Sequence, residues 1–227
     1  RYDVVKRMDP TAVDRASTQR QGWLAKALIE YKLDWGVPGI FGWYASGDDG
    51  NVKNGSERMP SIAGAGNFTS FVGDGNLAWG PGNGDYIDWN MSYAGTWGIG
   101  LQLRDMSFVE DLKHTFRVNY IGGTNSPTMA KKLSLNGMYA NGNIEDGYNI
   151  RNIGREAMYL TTQDGALEFG LTNTYQMYEN FTVMLDANYI ATWLDKSRHV
   201  WGRSVMNGRS DQVRDPWNVN LSFVYSF

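Results

Sequence analysis

The chain ends on PWNVNLSFVYSF, residues 216–227. Trp217, Val219, Leu221, Phe223, Tyr225 and Phe227 are apolar or aromatic; Asn218, Asn220, Ser222 and Ser226 between them are polar, with Val224 the one interruption. Side chains of an extended strand point alternately to opposite faces, so this stretch reads as a strand with one greasy and one wet face.

The same period recurs upstream. In 181–194 the apolar set is Phe181, Val183, Leu185, Ala187, Tyr189, Ala191 and Trp193, diluted by Met184 and Ile190 on the other face. In 166–177 Leu167, Phe169, Leu171, Tyr175 and Met177 alternate with Glu168, Thr172, Thr174 and Gln176. Segments 112–121 and 96–104 alternate likewise, through Leu112, Phe116, Val118 and Tyr120, and through Trp97, Ile99, Leu101 and Leu103. In 38–46 the apolar set is read as Phe41, Trp43 and Ala45, and in 22–34 as Trp23, Ala25, Ala27, Ile29, Tyr31 and Leu33, with Leu24, Leu28 and Ile40 as blemishes. Helical spacing fits none of the seven windows as well.

Between the strands, short connections (34–38, 105–111, 178–180) alternate with long ones (47–95, 122–165, 195–215) rich in Gly, Asn, Asp and Ser. Structureless loops of that length are uncommon in compact soluble domains. They are normal on one side of an outer-membrane barrel, which has short turns at one rim and long loops at the other.

Composition narrows the classes further. The 227 residues carry 9 Trp, 13 Tyr and 9 Phe, enough apolar area to argue against disorder. No run of ~18 apolar residues exists, which excludes a helical membrane span. Cysteine is absent, which excludes a disulfide scaffold and thiolate chemistry. A net charge of −3 gives no polybasic footprint, so nucleic acid is not an expected partner.

A soluble sandwich also alternates, with its apolar face inward. Against it stand aromatics grouped at strand ends. Trp23, Trp43, Tyr120, Trp193 and Trp217 adjoin long connections; Tyr31, Trp35, Phe41, Tyr175, Phe181, Tyr225 and Phe227 lie toward short turns or the terminus. Two aromatic girdles flanking an apolar band are expected of a transmembrane barrel. The fold class expected is therefore all-β, a transmembrane antiparallel up-and-down β-barrel, with residues 1–227 as one barrel domain.

The final strand, through Val219, Leu221, Phe223, Tyr225 and the terminal Phe227, resembles the assembly signal that the barrel assembly machinery reads on outer-membrane proteins. More broadly, GALEFGLTNTYQMYENFTVMLDANYIATWLD and WNVNLSFVYSF resemble the C-terminal half of outer-membrane homotrimeric porins of sulfate-reducing bacteria. The resemblance implies a bacterial outer-membrane location, a homotrimer, a barrel of fourteen to eighteen strands with sixteen the favoured count, and a chain about twice this length. Strand parity points the same way. Seven strands are odd, whereas bacterial single-chain barrels have even counts. The chain is then expected to be the C-terminal piece of a larger barrel; the alternative is a complete eight-stranded barrel whose first strand lies within residues 1–8, hinted at by residues 2–5.

Candidate site residues are the charges on the wet faces: Lys26, Glu30, Lys32, Asp34, Arg104, Lys113, Arg117, Glu168 and Asp186. On a lumen wall, rings of charge shape the field that a passing ion meets. Five basic against four acidic residues argue for a polar aqueous channel without strong charge selectivity. Loop 47–95 is acidic, through Asp48, Asp49, Glu57, Asp74, Asp85 and Asp88, and either bends into the pore as a constriction or folds over its mouth. Loop 195–215 is basic, through Lys196, Arg198, Arg203, Arg209 and Arg214, and suits lipopolysaccharide phosphates or acidic loops of a neighbouring strand pair, with solvated surface charge the plainer reading. Asp48, Asp49 and Asn51 are weak oxygen ligands for Ca²⁺, with turn formation the plainer reading. No other metal and no cofactor is expected.

Catalytic patterns are thin. His114 falls on the apolar face near a short turn; His199 lies near Asp195, Ser197 and Ser204 in a long loop, without a nucleophile–base spacing that would define a site. The expected function is a general diffusion porin passing ions and small polar solutes, not an enzyme. The alternatives are a small closed structural or adhesive barrel, and an outer-membrane hydrolase using His199.

Overall fold

The computed structural model describes residues 19–51, 53–59, 68–69, 93, 95–129, 160–197 and 215–227. Seven antiparallel strands form one sheet in sequence order: β1 (Leu24–Glu30), β2 (Val37–Ala45), β3 (Thr96–Val109), β4 (Leu112–Gly123), β5 (Gly165–Tyr178), β6 (Phe181–Trp193) and β7 (Trp217–Tyr225). Every expected strand is present. Each pairs only with its sequence neighbours, so β1 and β7 are the ends of the sheet among the described residues. No helix among the described residues is long and apolar enough to cross a membrane.

The short connections, 31–36, 110–111 and 179–180, all lie at one end of the strands, and the long ones at the other. The β3–β4 turn is tighter than the spacing predicts. β3 continues to Val109 through two register shifts, and Asp105 (φ 56°) and Asp111 (φ 63°) take the left-handed backbone conformation that Asp tolerates better than most side chains.

Register assigns every side chain to a face. The bare face carries Ala25, Ala27 and Ile29 on β1, Ile40 and Tyr44 on β2, Ile99 and Leu101 on β3, and Phe116 and Tyr120 on β4. Phe169 and Leu171 on β5, Leu185 and Tyr189 on β6, and Val219, Leu221 and Phe223 on β7 continue it. The large side chains among these are exposed, from Phe169 at 38 % to Ile29 at 71 %. A patch crossing seven strands is ~30 Å wide, well beyond the largest patch of a typical soluble monomer.

The opposite face is covered at the loop end. There Phe41, Trp43, Ala45, Ile121, Ala166 and Ile190 pack with Met59, Tyr93 and Leu160 from the long connections. This corrects the sequence reading of β2. Phe41 and Trp43 belong to the covered face, and the blemish Ile40 belongs, with Tyr44, to the bare face. The reason is glycine. Gly98 and Gly100 of β3 leave room for the rings: a Cβ on Gly98 would lie 2.3 Å from the Trp43 ring, and one on Gly100 2.4 Å from the Phe41 ring. Ile190, a blemish on β6, is likewise a core residue under a loop.

The bare face carries an aromatic row near its loop end. Trp23 stacks on Tyr44 at 4.9 Å, Tyr44 sits opposite Trp97, Trp97 meets Tyr120 at 5.5 Å, and Tyr120 meets Trp193 at 6.4 Å. Tyr120 reaches Trp193 across Gly165, where a Cβ would lie 2.5 Å from its hydroxyl. A second group, Tyr178, Phe181, Phe223, Tyr225 and Phe227, lies at the turn end.

Gly98→Ala is expected to destabilise the fold by about 1–3 kcal/mol, because the Trp43 indole is held by its Nε1 bond to Thr96 and cannot swing aside. Urea unfolding followed by tryptophan fluorescence checks this; an unchanged midpoint would contradict the flat packing of Trp43 over β3.

Candidate functional site: the covered face and its charges

Parity puts seven of the nine expected charges on the covered face: Lys26 and Glu30 (β1), Arg104 (β3), Lys113 and Arg117 (β4), Glu168 (β5) and Asp186 (β6). Lys32 and Asp34 instead lie in the exposed β1–β2 turn, because β1 ends at Glu30. The assembly-signal residues Val219, Leu221, Phe223 and Tyr225 share the bare face of β7, and Phe227 follows the strand, fully exposed.

Toward the turn end, the Glu30 carboxylate gathers its neighbours. Gln102 Nε2 donates to Oε1 at 2.7 Å, Arg104 Nε to Oε1 at 3.0 Å and Arg104 Nη2 to Oε2 at 3.3 Å. Two parallel guanidinium bonds fix orientation as well as charge. The Arg104 and Glu30 side chains are 39 % and 25 % exposed, so the pair contributes little stability. Gln102, turned by Glu30, offers its Oε1 to Arg117 Nε at 3.4 Å.

Toward the loop end, part of the 47–95 connection crosses the covered face. The Phe68 ring stacks on Phe41 at 4.7 Å, and the Phe68 carbonyl accepts from Asn119 Nδ2 at 3.1 Å. Thr69 Oγ1 donates to the buried Glu168 carboxylate. Lys26 Nζ lies 4.5 Å from the Phe68 ring centre and 4.3 Å from that of Tyr93. Residues 68, 69 and 93 of this connection thus lie against the covered face of the sheet. The sequence signal was faint: a Phe–Thr pair in a Gly-rich stretch with no period of its own.

Asn125, 1 % exposed, ties together both roots of the 47–95 connection and the far root of its own, 122–165. Its Oδ1 accepts from Asp48 N at 3.2 Å, and its Nδ2 donates to the carbonyls of Gly95 (3.2 Å) and Leu160 (2.9 Å). Sequence reasoning missed it, since a lone Asn in a loop carries no pattern. Asp164 acts similarly, accepting from Thr161 N and Oγ1 and from Asp195 N.

Asp48, Asp49 and Glu57 bring carboxylate oxygens within 4.8 Å of one another. Such hard oxygen donors could hold Ca²⁺. Glu57, not grouped with the aspartates by spacing, is the third carboxylate here, and the Asn51 oxygen accepts from Lys53 N at 3.0 Å. Asp48 is itself engaged, accepting from Gly50 N and Ser56 Oγ.

On the bare face near the turn end, His114 Nδ1 and Asn173 Oδ1 face each other at 2.6 Å, a polar pair among apolar neighbours. Of the hydrolase candidates, Asp195 Oδ1 accepts from Ser197 N and Oγ, a local turn. His199, Ser204, the basic residues 198–214, Asp74, Asn76, Asp85, Asp88 and residues 2–5 lie outside the described residues. No protein-family model, curated protein or solved structure matches the chain.

At the mouth of β7, Asp215 clasps the end of β6. Its carboxylate accepts from Thr192 N (2.8 Å), Tyr189 OH (2.9 Å) and Thr192 Oγ1 (3.0 Å). These bonds, the Thr192 amide first, hold its pKa below the usual aspartate range. A carboxyl depressed in the fold contributes fully above its unfolded pKa and loses that contribution as pH falls through the folded one. The Thr192 amide shift is therefore expected to stay constant from neutral pH down to about 4, the ordinary aspartate pKa, and to move only below it; a transition near pH 6 would contradict the clasp. Separately, Thr69→Val is expected to cost about 1–3 kcal/mol by removing a buried donor to Glu168, read as a lowered urea midpoint.

Proposed function

We propose that this chain forms the wall of a water-filled diffusion channel in a bacterial outer membrane, passing ions and small polar solutes. The observation that carries the reading is the division of the sheet: one face bare and apolar across all seven strands, the other carrying the charges, packed under loop residues at one end and hydrogen-bonded at the other. Water makes such a bare face costly. Lipid removes the cost, provided that every backbone group is paired, which a closed barrel achieves.

The dimensions suit a bilayer. From Trp193 to Phe181 is twelve steps along the thirteen residues of β6, ~40 Å; tilted about 40°, it rises ~30 Å, the hydrocarbon thickness. The aromatic groups at both ends would then sit at the two headgroup levels. Short turns at one end and long loops at the other match the two rims of such a barrel. The inward 68–69 segment would narrow the lumen near the loop end, leaving the polar side chains of the turn end to line the remaining passage.

Within this reading, β1 and β7 take further strand partners on closure, the homotrimer and the lipopolysaccharide contacts follow from the porin resemblance, and the barrel assembly machinery reads β7. Conduction is passive, with neither cofactor nor covalent step. The rival is a closed structural or adhesive barrel, which the loop packing over Phe41 and Trp43 favours to the extent that it fills one end of the lumen. Planar-bilayer recording on the intact native protein separates the two. Stepwise, ohmic single-channel currents are expected; a refolded protein that inserts without carrying current would overturn the channel reading.

A further inference from the structure

The balanced tally of wall charges does not survive their environments. On the covered face, Glu168 and Asp186 are 2 % and 1 % exposed. Glu30 is held by Gln102 and Arg104. On the basic side, Arg104 is paired and Lys26 lies over two rings. Lys113 and Arg117 remain. Lys113 is exposed, Arg117 half-buried, and neither makes an ion pair with a described residue. The acids are thus withdrawn from solvent or paired, while two bases are not.

Those two bases share one face of β4, with Thr115 midway between them, a stripe ~13 Å long. Arg117 is oriented rather than loose. Its Nε donates to Gln102 Oε1 at 3.4 Å, Gln102 is itself held by Glu30, and the two terminal amino groups of Arg117 make no hydrogen bond with a described residue. Its register partner on β5 is Gly170, and the Asn188 amide oxygen from β6 reaches over that glycine, 2.9 Å from where a Cβ would sit. A planar guanidinium with both terminal nitrogens available matches an oxyanion, whose oxygens can take two parallel bonds; chloride cannot.

We infer that Arg117, with Lys113 and Thr115, forms a docking station for small free oxyanions of the phosphate type, and that this wall favours anions over cations. The anion preference rests on the proposed channel; binding at the station does not. Two measurements on the full chain test them separately. In bilayers under a KCl gradient, the reversal potential is expected to report anion preference, and the R117Q/K113Q double variant to bring the permeability ratio toward unity. In detergent, phosphate titrated against the folded protein is expected to show ³¹P line broadening, and Arg117→Gln to bind about tenfold more weakly while keeping its far-ultraviolet β spectrum. Cation preference in the unmodified protein overturns the selectivity. Phosphate binding equal in the folded Arg117→Gln protein overturns the station. An absence of current overturns the channel reading and leaves the station to be decided by the phosphate titration alone.

Discussion

The structure depends on the two-residue period of the antiparallel ladder. Neighbouring strands share register from β1 to β7, broken only near turns. Once one strand commits a side chain to a face, every paired position across the sheet is committed as well. A slip of one residue anywhere would exchange the faces of that strand and place charges among the apolar residues. That cost is what makes a sheet with such different faces specify a single pairing.

The covered face uses this constraint twice. At the loop end it presents aromatic and aliphatic residues and two glycines on β3, and loop residues pack onto them. At the turn end the same alternate positions carry Glu30, Gln102, Arg104 and Arg117, joined by hydrogen bonds that run across β1, β3 and β4. The boundary between the zones is where Thr69 and the Phe68 carbonyl meet Glu168 and Asn119. Burial there leaves oxygens without a hydrogen bond, Asn119 Oδ1 and, further along, Asp186 Oδ2, a costly state for polar atoms. On this face Glu168 and Asp186 are buried while Lys113 is exposed and Arg117 half-buried, so the charges that meet solvent are set by exposure and pairing rather than by the number of charged residues.

Much of the fold was legible because period two is a strong local signal in strands as long as β5 and β6. It failed in β2, where Phe41, Trp43 and Ala45 alternate as well as any lipid-facing set. Their facing depends on Gly98 and Gly100, more than fifty residues away, and no local pattern contains that information. The blemishes Leu24, Ile40 and Ile190 were the signal available: Ile40 marked the opposite parity, while Leu24 and Ile190 marked places where a loop lies over the sheet. The β3–β4 turn came out shorter than its composition suggested because two register shifts absorb Asp105 and its neighbours into the strand.

The sequence by itself determined the seven strands, their antiparallel order, the alternation of short and long connections, and the side of the sheet for most charged residues, because these follow from side-chain direction in an extended chain. Tertiary structure decided which aromatics were withdrawn from the bare face, where residues 68, 69 and 93 lie, that Asn125 ties three loop roots together, and which charges keep their hydration. Each of these depends on what another segment places above a side chain, and contacts between residues tens of positions apart leave no periodic trace in the chain.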